Sequence, residues 1–315
     1  IGLNVITDGE FRRSYWHLDF MWGLNGVKEI ELEHGYFFHG EETTKGSIEL
    51  TGRISGENHP FIEHFKFVKQ FEDENTVARQ TIPGPAQMLA ELFRGDNAKN
   101  TLKFYPELKE LTEDLSKSYK TVIKELYEAG CRNIQIDDCT WGMLCDTEFW
   151  KTMAGDINVE DEIRKNIDLN NLSVEDKPED LVITMHTCRG NYHSTYATKG
   201  GYDSVAPILF KEANVDALYL EFDDERSGGF EPLQHISKDK KVVLGLITTK
   251  TPQLEDKKEV IRRIYEAAKY VPLERLYLSP QCGFASCEIG NILTEEEQWA
   301  KLKLVKEISE EVWPK

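Results

Sequence analysis

His186 and Cys188 stand two residues apart in the stretch Leu-Val-Ile-Thr-Met-His-Thr-Cys-Arg-Gly-Asn, residues 181–191. The stretch opens as a run of apolar and β-branched residues, the pattern of a buried strand. Side chains two apart on a strand leave the same face. An imidazole and a thiol are therefore aimed at one point, which is half of a zinc site. Taken alone, such a pair is more often a His packed beside a buried Cys. Two further residues shift the balance. Glu221 closes the strand-like run 217–220, and Cys282 follows the run 275–280. Each of the four stands at or just past the C-terminal end of an expected strand. One imidazole, two thiolates and one carboxylate satisfy tetrahedral zinc.

The charge of such a centre selects its chemistry. Two thiolates and a carboxylate bring three negative charges against the two positive charges of zinc. That makes a poor Lewis acid for splitting water. It would still lower the pKa of a bound thiol and leave the thiolate electron-rich. The carboxylate is the hardest ligand, the one a soft thiolate displaces most easily. Alkyl transfer to sulfur is the chemistry this favours. Four protein ligands usually mark a closed, structural site, but a position at the strand ends argues for an active one.

The elements that must hold these residues alternate between strand and helix. Strands are expected at 4–7, 76–81, 133–137, 181–186, 217–220, 241–247 and 275–279. A helix and loop should occupy 11–26, and a short helix should run from His59-Pro60 to residue 71. Pro83-Gly84-Pro85 stops the second strand, and a helix at 86–93 follows. The clearest helix spans 106–129, with Leu108, Leu111, Leu115, Tyr119, Val122 and Leu126 at helical spacing and Gly130 as its stop. A polar segment with helical pieces runs to residue 178. Helices follow at 205–213, at 255–270 with Val260, Ile261, Ile264 and Ala268 on one face, and at 294–312. Thr294 and Glu297 fit a capping box on the last of these. A Gly-rich, partly alternating stretch, about residues 31–56, reads as a β-hairpin outside the core.

Strand–helix alternation predicts a parallel sheet. The expected fold is a TIM (β/α)8 barrel, a single catalytic domain over 1–315. Seven strands are one short of eight, so the first strand is expected to precede Ile1. A doubly wound open sheet is the alternative. No Gly-rich phosphate loop follows any strand to support it, although seven strands suit an open sheet. Chemically active residues close strand after strand, which is where barrels carry their active sites.

Composition sets the outer bounds. The chain has 315 residues, 40% of them hydrophobic, and a formal net charge of −18. That charge argues against nucleic acid or an anionic membrane as a partner. No apolar run of membrane-spanning length occurs, and no signal peptide is visible. The six Cys do not suggest a disulfide scaffold. An acidic cytoplasmic protein acting on small molecules is expected.

Five stretches together resemble the C-terminal catalytic barrel of cobalamin-independent methionine synthase. They are Ile6-Thr7-Asp8-Gly9-Glu10, Ile134-Gln135-Ile136-Asp137-Asp138, Met185-His186-Thr187-Cys188, Leu220-Glu221 and Ser279-Pro280-Gln281-Cys282-Gly283. The resemblance covers nearly the whole chain. It implies zinc held by His186, Cys188, Glu221 and Cys282. It also implies that Glu10 and Asp137 bind the amino group of homocysteine, as suits an ammonium between carboxylates. Read without it, Glu10 is a capping or surface acid and Asp137 a loop acid. The implied reaction is methylation of homocysteine to methionine, with 5-methyltetrahydrofolate, as the polyglutamate, for donor.

Three departures accompany the resemblance. The family's upstream strand with a Gly-Ser-Phe stretch is not in the sequence, nor is the additional N-terminal barrel of full-length plant and bacterial enzymes. Where the family carries a His thought to protonate the departing folate, this chain has Thr248-Thr249-Lys250-Thr251-Pro252. Lys250 could donate that proton if its pKa were lowered, bind an anion, or be a plain surface Lys. Trp141 and Phe284 could stack on a pterin or simply pack. Alternative functions are zinc-dependent alkyl transfer to another thiol or from a non-folate donor, and a non-catalytic zinc barrel that binds a thiol metabolite. A metal-free decarboxylase barrel would leave the His and two Cys unexplained.

Overall fold

The computed structural model describes residues 1–154 and 157–314. Twelve strands occur among them: β1 (Val5–Ile6), β2 (Asn25–Glu31), β3 (Phe37–Phe38), β4 (Glu41–Glu42), β5 (Gly46–Ser55), β6 (Val77–Ala78), β7 (Gln80–Pro83), β8 (Asn133–Asp137), β9 (Val182–Thr187), β10 (Ala217–Glu221), β11 (Lys241–Ile247) and β12 (Leu276–Pro280). Strands β7 to β12 form one six-stranded sheet in sequence order, every neighbouring pair parallel. β1 runs parallel to β6, directly before β7, so the strand expected at 76–81 is two short strands that extend the order by one. Sequence order without a switch point is the winding of a TIM barrel and not of a doubly wound sheet. Among the described residues no pairing joins β12 to β1.

The helices follow from their patterns. In the helix Leu108–Glu128, Leu111, Leu115, Tyr119, Val122 and Leu126 are all 0% exposed. Burying each stabilises the fold by roughly 1.5–3 kcal/mol. Leu108, expected on the same stripe, is 45% exposed because it opens the first turn, beyond the sheet it would cover. Gly130 follows at φ 95°, a left-handed stop that a side chain would resist. The helix expected at 255–270 is Lys257–Ala267, capped by Asp256, with Val260 and Ile264 buried and Ile261 and Ala268 only partly so. Thr294 and Glu297 form the expected capping box on Glu295–Val312. The polar segment before residue 178 holds three helices, Thr140–Cys145, Thr147–Ala154 and Val159–Leu172, and its residues 155 and 156 lie outside the described part.

The Gly-rich stretch is an antiparallel pair, β2 with β5, that begins at Asn25, earlier than expected, and carries the small hairpin β3–β4 at its tip. It forms a sheet of its own, packed on the helix Leu108–Glu128. Its tip reaches the loop after β9, where His39 N–H donates to Tyr196 O at 2.9 Å and His193 meets Glu41 at 3.0 Å. The arm therefore braces the loop that carries Cys188. Among the described residues no helix is long and apolar enough to cross a membrane.

Candidate metal centre

The C-terminal ends of β9, β10 and β12 bring His186, Cys188, Glu221 and Cys282 together, with their potential ligand atoms all within 4.8 Å of one another. Parallel register does this. His186 pairs with Tyr219, so the end of β9 lies beside Glu221 at the end of β10. Glu221 pairs with Gly245 of β11. A Cβ at Gly245 would lie 2.7 Å from Gln281 Cα and 3.0 Å from Leu220 O. Only glycine admits the backbone of the Cys282 loop this close to β10.

The four side chains are held in place before any ion is considered. His186 Nδ1 donates to Asp137 Oδ1 at 3.1 Å, so the other ring nitrogen, Nε2, faces the cluster. Gly190 N–H donates to Cys188 Sγ at 3.3 Å, and Cys188 Sγ lies 3.9 Å from Cys282 Sγ. Glu221 is fully buried; its Oε1 accepts from Arg189 N–H at 2.9 Å and its Oε2 from Arg226 Nη2 at 3.1 Å.

This donor set fits a soft or borderline cation. His186 Nε2 donates to Gln281 O at 3.1 Å and stands 3.6 Å from Glu221 Oε1. Burial opposes a charge on the ring, yet Asp137, Cys282 and Glu221 together push its pKa well above the usual value. Mutual contact and burial push Cys188 and Cys282 well above the ordinary thiol range: Cys139 is the largest influence on Cys188, and Cys188 on Cys282. Burial works against the charge of Glu221 too, but His186, Lys250 and Arg226 bring its carboxyl down to about 2. Electron-rich groups converge around a protonated His186, whose charge a bound cation would replace on releasing that proton.

Beside the cluster lies a cavity of about 800 Å³, lined at this end by Glu10, Asp137, Asn191 and Phe284, with Phe11 and Trp16 at its wall. Glu10 follows Gly9 in a tight turn, both at positive φ (62° and 66°), and its N–H donates to Asp8 Oδ1. The turn directs Glu10 inward, where Oε1 accepts from Thr81 Oγ1 at 2.8 Å and Arg13 Nη1 at 3.0 Å. Burial raises the pKa of Glu10, Arg13 opposes this, and the nearby charge of Asp137 raises it further. The two acids thus share one cavity, and Asp137 also orients the His186 ring.

Lys250 does not line that cavity. Its Nζ is buried and makes no hydrogen bond. Trp141 is fully buried in the core, so packing accounts for it, whereas Phe284 does face the cavity. Sequence reading missed Arg13, Thr81, Arg226 and Asn191. Arg13 and Arg226 are ordinary charged residues in sequence. Only their burial, at 2% for Arg13, and their contacts with Glu10 and Glu221 reveal them.

The chain matches the family model described as cobalamin-independent synthase, catalytic domain, over residues 1–310. Two Bacillus subtilis proteins of uncharacterised function, YxjH and YxjG, are each 45% identical to it over 99% of this chain and 82% of their own length. A crystal structure from Listeria monocytogenes, provisionally described as a vitamin-B12-independent methionine synthase, is similar with a TM-score of 0.75. The identity is 39%, over 100% of this chain and 83% of that one. A Shewanella B12-independent methionine synthase in complex with selenomethionine shares the fold, at TM-score 0.72 and 21% identity, over 99% of this chain and 83% of that one.

Proposed function

Since the chain belongs to the cobalamin-independent synthase family, we propose that it is a zinc-dependent methyltransferase that converts homocysteine to methionine. The observation that carries this reading is the buried His186–Cys188–Glu221–Cys282 cluster at the strand ends, opening on a cavity that holds two further acids. Zinc, when bound by these four residues, would hold the substrate sulfur as a thiolate at neutral pH.

The remaining work falls to the protein. Glu10 and Asp137 receive the amino group of homocysteine, whose ammonium relieves the repulsion between their carboxylates. Arg13 and Thr81 hold Glu10 in position. Asp137 keeps the His186 tautomer with Nε2 toward the metal, the usual arrangement of a carboxylate behind a metal-bound imidazole. Phe11, Trp16 and Phe284 give the cavity an apolar wall that keeps water from the nucleophile. The methyl donor proposed is 5-methyltetrahydrofolate. Lys250, as proton donor to the departing folate, would have to reach the cavity from outside its lining.

The place of Lys250 favours a second reading, alkyl transfer from a donor other than folate. One experiment addresses both: methyl transfer to homocysteine from a panel of donors, with zinc measured on the same sample. Turnover with the folate donor and about one zinc per chain is expected for a Cys₂HisGlu site. Turnover only with other donors would establish the second reading. Absence of zinc, with Cys188→Ser unchanged from the parent, would overturn both.

A further inference from the structure

We propose that Lys250 is a positioning residue that receives the carboxylate of Glu221 when a substrate thiolate takes its place at the metal. This rests on the function proposed above.

The problem it solves is electrostatic. Glu221 is 0% exposed. With zinc held by the four residues, a thiol entering as thiolate would release its proton to solvent and take the position of Glu221, whose carboxylate would keep its full charge. Nothing is oxidised, and the only bonds exchanged are those to the metal. A buried carboxylate without a counter-charge costs several kcal/mol, so exchange would stall unless a cation met it.

The cations beside Glu221 are not equivalent. Arg226 Nη2 already contacts Glu221 Oε2 at 3.1 Å and Asp223 Oδ1 at 2.9 Å, and its Nη1 is paired with Asp224. Its guanidinium is committed to three acids, and that of Arg189, also without a hydrogen bond, lies over the Tyr202 ring at 4.4 Å. Lys250 is uncommitted: its Nζ is buried, has no hydrogen-bond partner, and acts electrostatically on both Glu221 and Asp223. One oxygen of Asp223, Oδ2, is likewise buried without a partner. The unpaired Lys250 ammonium is a buried donor with room for one more carboxylate oxygen.

The backbone holds Lys250 ready for this. It stands three residues past Ile247, the end of β11, the strand next to Glu221. Thr248 N–H donates to Glu255 Oε1 at 2.9 Å, Thr249 N–H donates to Gln281 Oε1 at 2.6 Å, and Asn291 Nδ2 donates to Thr249 O at 2.9 Å. The backbone is thus fixed directly before Lys250, and the movement falls to the side chains of Lys250 and Glu221.

Zinc-edge X-ray absorption during a titration with homocysteine tests this on the purified zinc enzyme. The wild type should gain a third zinc–sulfur bond. Lys250→Met should keep its zinc and its melting temperature, yet need about tenfold or more homocysteine to gain that bond, because the departing charge has lost its partner. Lys250→Arg, which keeps the charge, should restore the wild-type titration to within a few-fold. An unchanged titration in Lys250→Met would overturn the proposal. So would loss of zinc from Lys250→Met before homocysteine is added, since Lys250 would then be holding the resting site. A wild type that never gains the third sulfur would instead overturn the function on which the proposal rests.

Discussion

At the residue scale, the proposed function gives Asp137 two duties that one substitution separates. Its Oδ1 accepts from His186 Nδ1 and from Gln135 Nε2, at 3.1 and 2.9 Å. Asn at this position keeps an oxygen for both donors and loses only the charge. Asp137→Asn should therefore retain about one zinc per chain while raising the homocysteine needed for half-saturation about tenfold, as expected for a lost hydrogen bond to a charged group of about 1.5 kcal/mol. Asp137→Ala removes the support of the ring as well and should weaken zinc binding about 10–100-fold. Kinetics and zinc content on both variants check this, and zinc loss equal in the two would show that Asp137 serves the metal alone. The spacing of His186 and Cys188 was legible because a strand's period of two is a local property. The support of Glu10 was not: Thr81, 71 positions away in sequence, reaches it only in the folded sheet.

Elements hold the site through a few long-range contacts. Asn191, just past β9, donates Nδ2 to Gly283 O and Ala285 O, both at 3.0 Å, and its Oδ1 accepts from Asn291 Nδ2 at 3.0 Å. It fastens the Cys188 loop to the Cys282 loop without touching either sulfur. Asn191→Ala should leave the four ligands intact and speed zinc release to a chromogenic chelator about tenfold or more, since several buried polar groups lose partners at about 1 kcal/mol each. An unchanged release rate would mean the two loops hold themselves.

His59 joins two other elements. Its Nε2 donates to Phe20 O at 2.8 Å and its Nδ1 accepts from Phe61 N–H at 3.1 Å, so the ring must be neutral. Burial lowers its pKa from 6.5 to about 4, the Phe20 carbonyl works in the opposite direction, and His64 nearby adds to the lowering. The unfolded chain takes up this proton below about 6.5, whereas the folded chain resists it until about 4. The contribution of His59 is fully present above pH 6.5 and is lost as the pH falls through that window, by at most about 3 kcal/mol. Melting temperatures of wild type and His59→Gln from pH 7 to 4 should show a steeper fall for the wild type; parallel curves would contradict this. Element identity was largely readable, because β8 and β11 occur where their apolar runs lie. The start of the arm was not, because Asn25-Gly26 looks like a turn and is in fact an irregular register against β5, with Gly26 at φ 78°.

For the molecule as a whole, chemistry and support occupy opposite ends of the sheet. The candidate site lies at the C-terminal ends of the strands. At the other end Asp216 braces β9 and β10, accepting from Ile183 N–H at 2.8 Å while its own N–H donates to Ile183 O at 2.8 Å. Asp216→Ala should cost about 1 kcal/mol of stability and leave zinc content and homocysteine affinity unchanged. Denaturation and binding measured together check this, and a loss of zinc would show the two ends to be coupled. The parallel order was legible from alternation alone. The meeting of the four ligands was legible from their places at strand ends and from the family resemblance; their spacing was not, since it depends on the register of three strands.

That separation has a kinetic consequence. Cys188 and Cys282 lie 94 positions apart, and their loops meet only after β9, β10, β11 and β12 have paired. No short peptide carries His186, Cys188, Glu221 and Cys282 together, so an ion bound by these four would not act as a folding nucleus in the way it does for a zinc finger. The barrel must assemble first, at the slow pace of parallel pairing over long loops, and load its metal afterwards. Chelated protein should accordingly keep its far-ultraviolet circular dichroism and recover activity within the time of simple metal binding. In a cell short of zinc, the chain would accumulate as a folded, idle reserve and not as a substrate for proteases.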